Sequence, residues 1–262
     1  MQIIYNTVSN IYAHPMKRLV LLIAVSFSAN CFAQFSEELS VVTEFMDSIT
    51  YNELKRKLIK GGDLFYEDDH YGVRITCRGE YGGSIWFKNK RSKIEYSCSA
   101  TCPVSINNID GSYIVSYSLS HLSGTSGIIE IDDPELLEVF ELPKPKEEKF
   151  GVVIRHGTDY ESKSKQGANT LWSGVGTIII TSFIVKHQLY HIIQNEEGNT
   201  FLATLENDNM KPLTSISENE FWKNEGMTIV IDRDHFITFF TTSKTSGYVE
   251  IKENKISVYR VR

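Results

Sequence analysis

The sequence lacks a basic stripe, and acidic residues outnumber basic ones. Its 262 residues contain 27 Lys and Arg against 33 Asp and Glu, which gives a formal net charge of −6. Proteins that hold nucleic acid or anionic membranes usually present clustered cations. The composition therefore argues against both kinds of partner. Beyond residue 33 no apolar run approaches the length of a membrane-spanning helix.

The sequence also lacks a coherent catalytic or metal-binding set. Its histidines form no Cys/His metal pattern, and no nucleophile elbow is present. Residues 162–165 (Ser-Lys-Ser-Lys) match the S-x-x-K pattern of serine acyl-enzymes, but that chemistry needs a buried helix and this run is polar and flanked by glycine. We therefore predict no cofactor, no bound metal and no catalytic residue.

An export signal occupies the N-terminal region. Met16, Lys17 and Arg18 begin it, a short apolar core follows, and Cys31-Phe32-Ala33 provides a cleavage site after Ala33. We predict a signal peptide over residues 1–33, with Met16 as the true start, and location in the periplasm or at the cell surface. A lipid anchor on Cys31 is the alternative.

Three of the 4 cysteines lie beyond the leader, an odd number for an oxidising compartment. Cys98 and Cys102 are close in sequence and would close a small turn just before Pro103. We predict a disulfide between them, with Cys77 as a buried thiol in a strand.

A strand-and-turn pattern recurs four times after the leader, at a spacing of roughly forty residues. In each copy an aromatic residue follows a tight polar turn and begins a stretch in which apolar and polar residues alternate. These aromatic residues are Tyr71, Tyr113, Tyr190 and Phe236. A single sheet cannot bury both of its faces alone, so repeated sheets stack on one another. The pattern predicts an all-β, propeller-like domain over residues 34–262, with four or five four-stranded antiparallel blades. A β-sandwich is the alternative.

The spacing doubles between the second and third copies, from Tyr113 to Tyr190. This interval contains a polar stretch at 157–169, for which we predict a long surface loop. Either a degenerate fifth blade or an insertion into a four-bladed ring explains the interval. Leu136 to Phe140 is predicted as the last strand of the second copy.

The segment before the repeats is predicted to hold a strand and a short helix. The strand, from Leu39 to Phe45, either completes the last blade or forms a separate arm. For the helix, Thr50 and Glu53 form a capping box, and Gly61-Gly62 provides the end.

The mature chain resembles exported, propeller-like proteins of unknown function from Gram-negative gut-type bacteria. The residues that carry the resemblance are Thr181-Ser-Phe183, Gln188-Leu-Tyr-His-Ile192, Thr200-Phe-Leu-Ala203 and the run 161–167 (Glu-Ser-Lys-Ser-Lys-Gln-Gly). The resemblance implies the fold and export, and it brings no catalytic residue.

Candidate ligand-binding residues fall into three groups. Aromatic side chains near strand ends can stack on sugars, acidic residues precede the aromatic of the first and last repeats, and lysines lie in the 157–169 loop. The residues are Trp86 and Trp172, Asp69 and Asp234, and Lys163 and Lys165. The alternative is blade packing for the aromatics and ordinary hairpin turns for the acids.

The sequence favours an exported, non-catalytic binding protein for a glycan or another protein. One alternative is a glycoside hydrolase or lyase on a five-bladed propeller, which needs two facing carboxylates; Asp69, Glu130 and Asp234 are the candidates. The other is a structural subunit of a surface assembly.

Overall fold

The computed structural model describes residues 39–59, 64–121, 123–144, 146–147, 153–154, 157–225, 228–232 and 234–262. The predicted signal peptide lies outside these ranges, and so does Gly61-Gly62, the predicted C-terminus of the helix. From Leu39 to Arg262 the chain forms one unit. Within the described ranges, no helix is both long and apolar enough to cross a membrane.

Strands dominate the structure. In the N-terminal half the elements are β1 (Ser40–Met46), α1 (Ser48–Leu58), β2 (Tyr66–Glu67), β3 (Tyr71–Ile75), β4 (Ser84–Asn89), β5 (Glu95–Ser99), β6 (Pro103–Ile109), β7 (Ser112–Leu119) and β8 (Thr125–Ile131). In the C-terminal half they are β9 (Glu138–Val139), β10 (Lys146–Glu147), β11 (Val153–Ile154), β12 (Asn169–Val175), β13 (Thr177–Val185), β14 (Gln188–Asn195), β15 (Thr200–Glu206), β16 (Asn209–Ser217), β17 (Lys223–Asn224), β18 (Ile229–Asp232), β19 (His235–Thr241), β20 (Ser246–Lys252) and β21 (Lys255–Val261). Three single turns of 3-10 helix occur at Gly79–Tyr81, Pro134–Leu136 and Gly157–Tyr160.

Four sheets of four to six strands make up the domain. The first has the order β2-β3-β4-β5-β9, the second β6-β7-β8-β12 and the third β13-β14-β15-β16. In the fourth, both β17 and β18 pair with β19, followed by β20, β21 and β1. Strands β10 and β11 form a separate pair. Successive strands of each sheet therefore run from one edge to the other, as in propeller blades.

The predicted repeat is confirmed, because its four aromatic residues occupy equivalent places. Tyr71, Tyr113, Tyr190 and Phe236 all lie on the second strand of their sheet. Each comes just after the turn that joins the first strand to the second. The first strands of the second, third and fourth sheets lie close to one another on the inner side of the domain. Strand β6 contacts β13, and the amide of Thr228, just before β18, donates to the carbonyl of Val104 at 3.1 Å.

Hydrophobic clusters join consecutive sheets. Tyr71, Phe87 and Tyr113 belong to the cluster between the first and second sheets. Ile114 and Ile193 lie between the second and third. Another cluster, which includes buried residues from β13 to β15 and from β19 to β21, fills the space between the third and fourth. The fold is all-β and propeller-like, and the second and third sheets are each packed against a neighbouring sheet on both faces.

The N-terminal strand completes the fourth sheet, as one of the two sequence interpretations predicted. Strand β1 pairs in parallel with β21 along its whole length, from Ser40 opposite Lys255 to Met46 opposite Val261. The first strand of the described chain is thereby bonded to its last.

Helix α1 covers the other face of the fourth sheet, and its N-cap differs from the prediction. Asp47, not Thr50, is the capping residue: its carboxylate accepts the amides of Ile49 and Thr50 at 2.9 Å each. A carboxylate at this position satisfies two free N–H groups and complements the helix dipole. Tyr51 is buried, and its ring meets that of Phe239 edge-on.

The long interval after the second copy is an insertion within the second sheet. The prediction that Leu136 to Phe140 ends that sheet is wrong: β9 pairs with β5 of the first sheet, through Val139 and Tyr96. Strand β12 returns instead to pair with β8 and forms the edge of the second sheet. Apolar patterning marks the two segments alike, and only pairing in space distinguishes them.

The predicted Cys98–Cys102 disulfide is wrong, because the structure joins Cys77 to Cys102. Strand alternation directs Cys98 into the cluster between the first two sheets, where burial raises the pKa of its thiol to about 12. Cys77 and Cys102 both lie just beyond strand ends, on either side of Gly83, which packs against Thr76 and the amide of Cys102.

Candidate functional site

An open cavity of about 840 Å³ lies where the four sheets converge. It is found at the end of the domain where each first strand turns into the second, and we call it the axial pocket. All four sheets contribute to its walls; the contributing residues are Tyr66 from the first, residues 106–111 from the second, residues 184–187 from the third, and Val230, Asp234, Phe236, Glu253 and Asn254 from the fourth.

Two other cavities have walls drawn from a more restricted set of elements. One, of about 440 Å³, lies between β9 and the 157–169 segment. The other, of about 650 Å³, lies among the turns after β7 and β14 and the connection between β16 and β17. The axial pocket is larger, and it alone of these three includes residues from every sheet. Ligand pockets occur preferentially where structural elements converge, as at domain interfaces and between the helices of bundles.

Hairpin turns form the rim of the axial pocket. Asp110-Gly111, Lys186-His187 and Asp234 belong to the turns between first and second strands of their sheets, and Glu253-Asn254 joins β20 to β21. Because the first three of these turns occupy equivalent positions in successive sheets, the repeat itself brings their side chains to one place. The turn between β20 and β21 adds a further side of the rim.

The pocket is apolar inside and polar at its rim. Ile106, Val185 and Phe236 are buried, whereas the rim side chains are exposed, except for the half-buried Asn254. Tyr66 is half-buried, and its ring meets Tyr113 edge-on at 6.1 Å. Burial raises the pKa of Tyr66, so its hydroxyl remains protonated and can donate a hydrogen bond.

The turn of the first sheet is held rigidly by Asp68. Its carboxylate accepts the amides of His70 at 2.8 Å and Tyr71 at 2.7 Å, and also the hydroxyl of Tyr113 at 2.5 Å. The last bond connects the first sheet to the second. Burial, and then this hydrogen bond, raise the pKa of Tyr113. The Asp-rich turn therefore has a structural role, with Asp68 as its central residue.

The two predicted acidic residues are separated by the structure. Asp234 lines the axial pocket, whereas Asp69 is exposed in its turn and is not among the residues that line it. Glu130 pairs across β8 with Ile114 and Asn169, away from the pocket. The carboxylates that accompany Asp234 at the rim are those of Asp110 and Glu253. The sequence analysis selected neither of them as a site residue.

The two predicted tryptophans pack within sheets. Trp86 is 1% exposed, lies 4.0 Å from the guanidinium carbon of Arg74 and meets Phe140 edge-on at 4.5 Å. It therefore cannot stack on a ligand, and the prediction for this residue is wrong. Trp172 is half-buried on β12, and its ring covers Gly174.

The 157–169 segment is anchored to the first sheet. The buried carboxylate of Glu161 accepts Arg78 Nε at 2.6 Å and Ser84 Oγ at 2.9 Å, and the Ser99 amide donates to the Ser164 carbonyl at 2.8 Å. Lys163 and Lys165 are both exposed, and only Lys163 lines one of the described cavities, the 440 Å³ one. The structure brings neither lysine to the axial pocket.

His191 has a structural role within β14. It is fully buried, its Nδ1 shares a hydrogen bond of 2.7 Å with Ser182 Oγ, and its Nε2 has no partner among the described residues. Burial lowers its pKa to about 4, so the ring is neutral at physiological pH. Ser182 is buried as well, and a substrate therefore has no access to this Ser–His pair.

Within the described ranges, no group of three or more His, Cys, Asp or Glu side chains is arranged to hold a metal ion. No protein-family model matches this chain, and no curated protein matches it in sequence.

Proposed function

We propose that this chain is an exported, non-catalytic binding protein whose ligand enters the axial pocket. One observation carries the proposal: the largest of the described cavities is the one where residues from all four sheets meet. At about 840 Å³ it falls within the usual range of ligand pockets, about 300 to 1,000 Å³.

The construction of the pocket supports a binding role. Its apolar walls favour desolvation of a ligand, and its polar rim provides orientation. The rim turns belong to hairpins of a rigid scaffold, so little conformational entropy is lost when a ligand binds. The candidate ligands are a glycan and an extended segment of another protein.

Export is part of the proposal. It is supported by the leader pattern at residues 1–33, and the Cys77–Cys102 disulfide is compatible with an oxidising compartment.

The test uses two neighbouring residues of β18. Val230 lines the pocket and is 45% exposed; Ile231 is 42% exposed, lies at an irregularity in the pairing of β18 with β19, and is not among the residues that line the pocket. Both residues are therefore open to a larger side chain. We expect Val230→Trp to obstruct the pocket, with Ile231→Trp as its matched control.

The purified protein is first screened by thermal shift against oligosaccharides and short peptides. A ligand present at a hundred times its Kd stabilises the folded form by about 2.7 kcal/mol. The proposal predicts that the shift is lost in Val230→Trp and retained in Ile231→Trp. Equal affinity in both variants, or no shift with any probe, contradicts it. Release of shorter sugars from a bound oligosaccharide would show catalysis and contradict the non-catalytic assignment.

A further inference from the structure

Two hairpin turns of the third sheet share one backbone shape but differ in composition. Lys186-His187 joins β13 to β14, and Asn207-Asp208 joins β15 to β16. All four residues have positive φ, 51° and 64° in the first turn and 49° and 60° in the second. Each is a two-residue turn with both residues in the left-handed region, as in type I′ hairpins.

The second turn has the residues that this shape favours, and the first does not. Asn, Asp and Gly tolerate the left-handed region, whereas other side chains adopt it at a conformational cost. Because both turns serve one sheet and join strands of similar length, the geometry of the fold does not explain the difference.

Location does distinguish the two turns. Lys186 and His187 line the axial pocket, and both are exposed there; Asn207 and Asp208 do not line it. Unfavourable backbone conformations cluster at functional sites, where the side chain contributes something that the optimal residue cannot. The contrast therefore points to a role for Lys186 and His187 in contacting the ligand.

The rest of the rim indicates the chemistry of that ligand. Lys186 and the histidine ring offer N–H donors from the third sheet, whereas Asp110 on the second and Asp234 and Glu253 on the fourth offer acceptors. Among the described ion pairs, none involves these three carboxylates.

A sugar hydroxyl is both donor and acceptor, so an uncharged glycan can use both kinds of rim group at once. Its C–H faces can pack against the apolar walls near Tyr66 and Phe236. We infer that Lys186 and His187 contact the ligand directly and that this ligand is the end of an uncharged oligosaccharide. The inference rests on the proposed function of the axial pocket.

The experiment replaces each turn by its favoured sequence. The double variant Lys186→Asn, His187→Gly changes the pocket turn, and Asp208→Gly changes the remote turn as the matched control. The pocket-turn variant relieves unfavourable backbone conformations, so we expect it to melt at a higher temperature than the parent protein. Asp208→Gly replaces a residue that already tolerates the left-handed region, so we expect it to melt at or slightly above the temperature of the parent protein. A variant that melts at or above the temperature of the parent protein is folded, so a loss of binding in that variant is not caused by unfolding.

Binding is then measured by calorimetry against neutral gluco-, xylo- and galacto-oligosaccharides and against an acidic galacturonan. We expect a neutral oligosaccharide to bind the parent and Asp208→Gly equally, and the pocket-turn variant at least tenfold more weakly. Unchanged affinity in the pocket-turn variant, or tighter binding of the galacturonan, overturns the inference.

The Val230→Trp variant separates this outcome from failure of the proposed function. If it abolishes binding while the pocket-turn variant retains it, the pocket is the site and only the assignment of Lys186 and His187 is wrong. If a short peptide binds in a Val230→Trp-sensitive manner and no sugar does, the pocket stands and the glycan class is wrong. If Val230→Trp leaves binding intact, the proposed function itself fails.

Discussion

The second sheet has two faces that are stabilised in different ways. Toward the first sheet it packs aromatic rings: Phe87 lies 5.1 Å from Tyr113 and 5.9 Å from Tyr71, all in edge-on geometry. Toward the third sheet it presents smaller apolar residues and a buried polar network, in which Ser116 bonds Ser182 and Ser182 bonds His191. Neighbouring residues of one strand therefore belong to different kinds of core.

Equivalent interfaces between repeated sheets therefore need not respond alike to mutation or to pH. Burial of rings stabilises through apolar area, which does not depend on protonation. A buried polar network stabilises only while each member is paired and neutral. The aromatic interface should therefore be sensitive to loss of volume, and the polar interface to pH and to loss of a single hydrogen-bonding atom.

The largest expected effect is on the aromatic interface. Phe87→Ala should lower the free energy of unfolding by about 3–5 kcal/mol, because it removes a fully buried ring and leaves a cavity. Urea unfolding at pH 7.5 and pH 5 measures it. The loss should be the same at both pH values; a loss below 1 kcal/mol would show that this interface is not tightly packed. Tyr81→Ala, at an exposed position, is the control.

The next effect concerns pH at the polar interface. The pKa of His191 is about 4 in the folded protein against an ordinary value of 6.5. Between these values the unfolded chain binds more protons, so stability should fall as the pH is lowered from about 6.5 toward 4, by about 3 kcal/mol in total. Well above pH 6.5 the ring is neutral in both states, and no pH dependence from His191 is expected there.

The measurement compares the parent protein with His191→Asn over pH 4 to 8. The difference between their unfolding free energies should change with pH in this window, because the variant cannot titrate there. Parallel pH profiles would contradict the assignment of His191 as a buried neutral ring.

A smaller effect is expected from one hydroxyl of the same network. Ser182→Ala leaves His191 Nδ1 and Ser116 Oγ without this partner, and about 1–3 kcal/mol should be lost. Thermal unfolding of the parent protein, Ser182→Ala, Ser116→Ala and the double variant with both changes gives a double-mutant cycle. Strict additivity would argue against a coupled network.

The smallest expected effect is at the apolar part of the polar interface. Ile114→Val removes one methylene group and should cost about 0.5–1.5 kcal/mol, independently of pH. A change that depended on pH would indicate that the variant disturbs the nearby network. Chemical denaturation at two pH values distinguishes these outcomes.

The repeat and its strands could be read from the sequence because sheet patterning is local. The aromatic residue after each polar turn, from Tyr71 to Phe236, marked the second strand of every sheet. In the third and fourth copies these residues, Tyr190 and Phe236, lie on β14 and β19. In the second copy β6, which begins at Pro103, was not predicted.

The candidate site could be predicted only in part. Asp234 was recognised because it lies in an acidic turn, but Lys186 and His187 have no composition that signals a turn, let alone a pocket. Trp86 was selected for its chemistry, and nothing local revealed that Arg74 and Phe140 would bury it.

The sequence alone determined the all-β class, the number of repeated aromatic markers and the alternation that gives each strand a buried side, because these depend on spacing between near neighbours. Tertiary structure decided which strand closes each sheet, which cysteines pair and which turns meet around one pocket. These depend on contacts between residues far apart in the chain. A pairing such as Cys77 with Cys102, or β1 with β21, is settled only when the sheets are assembled.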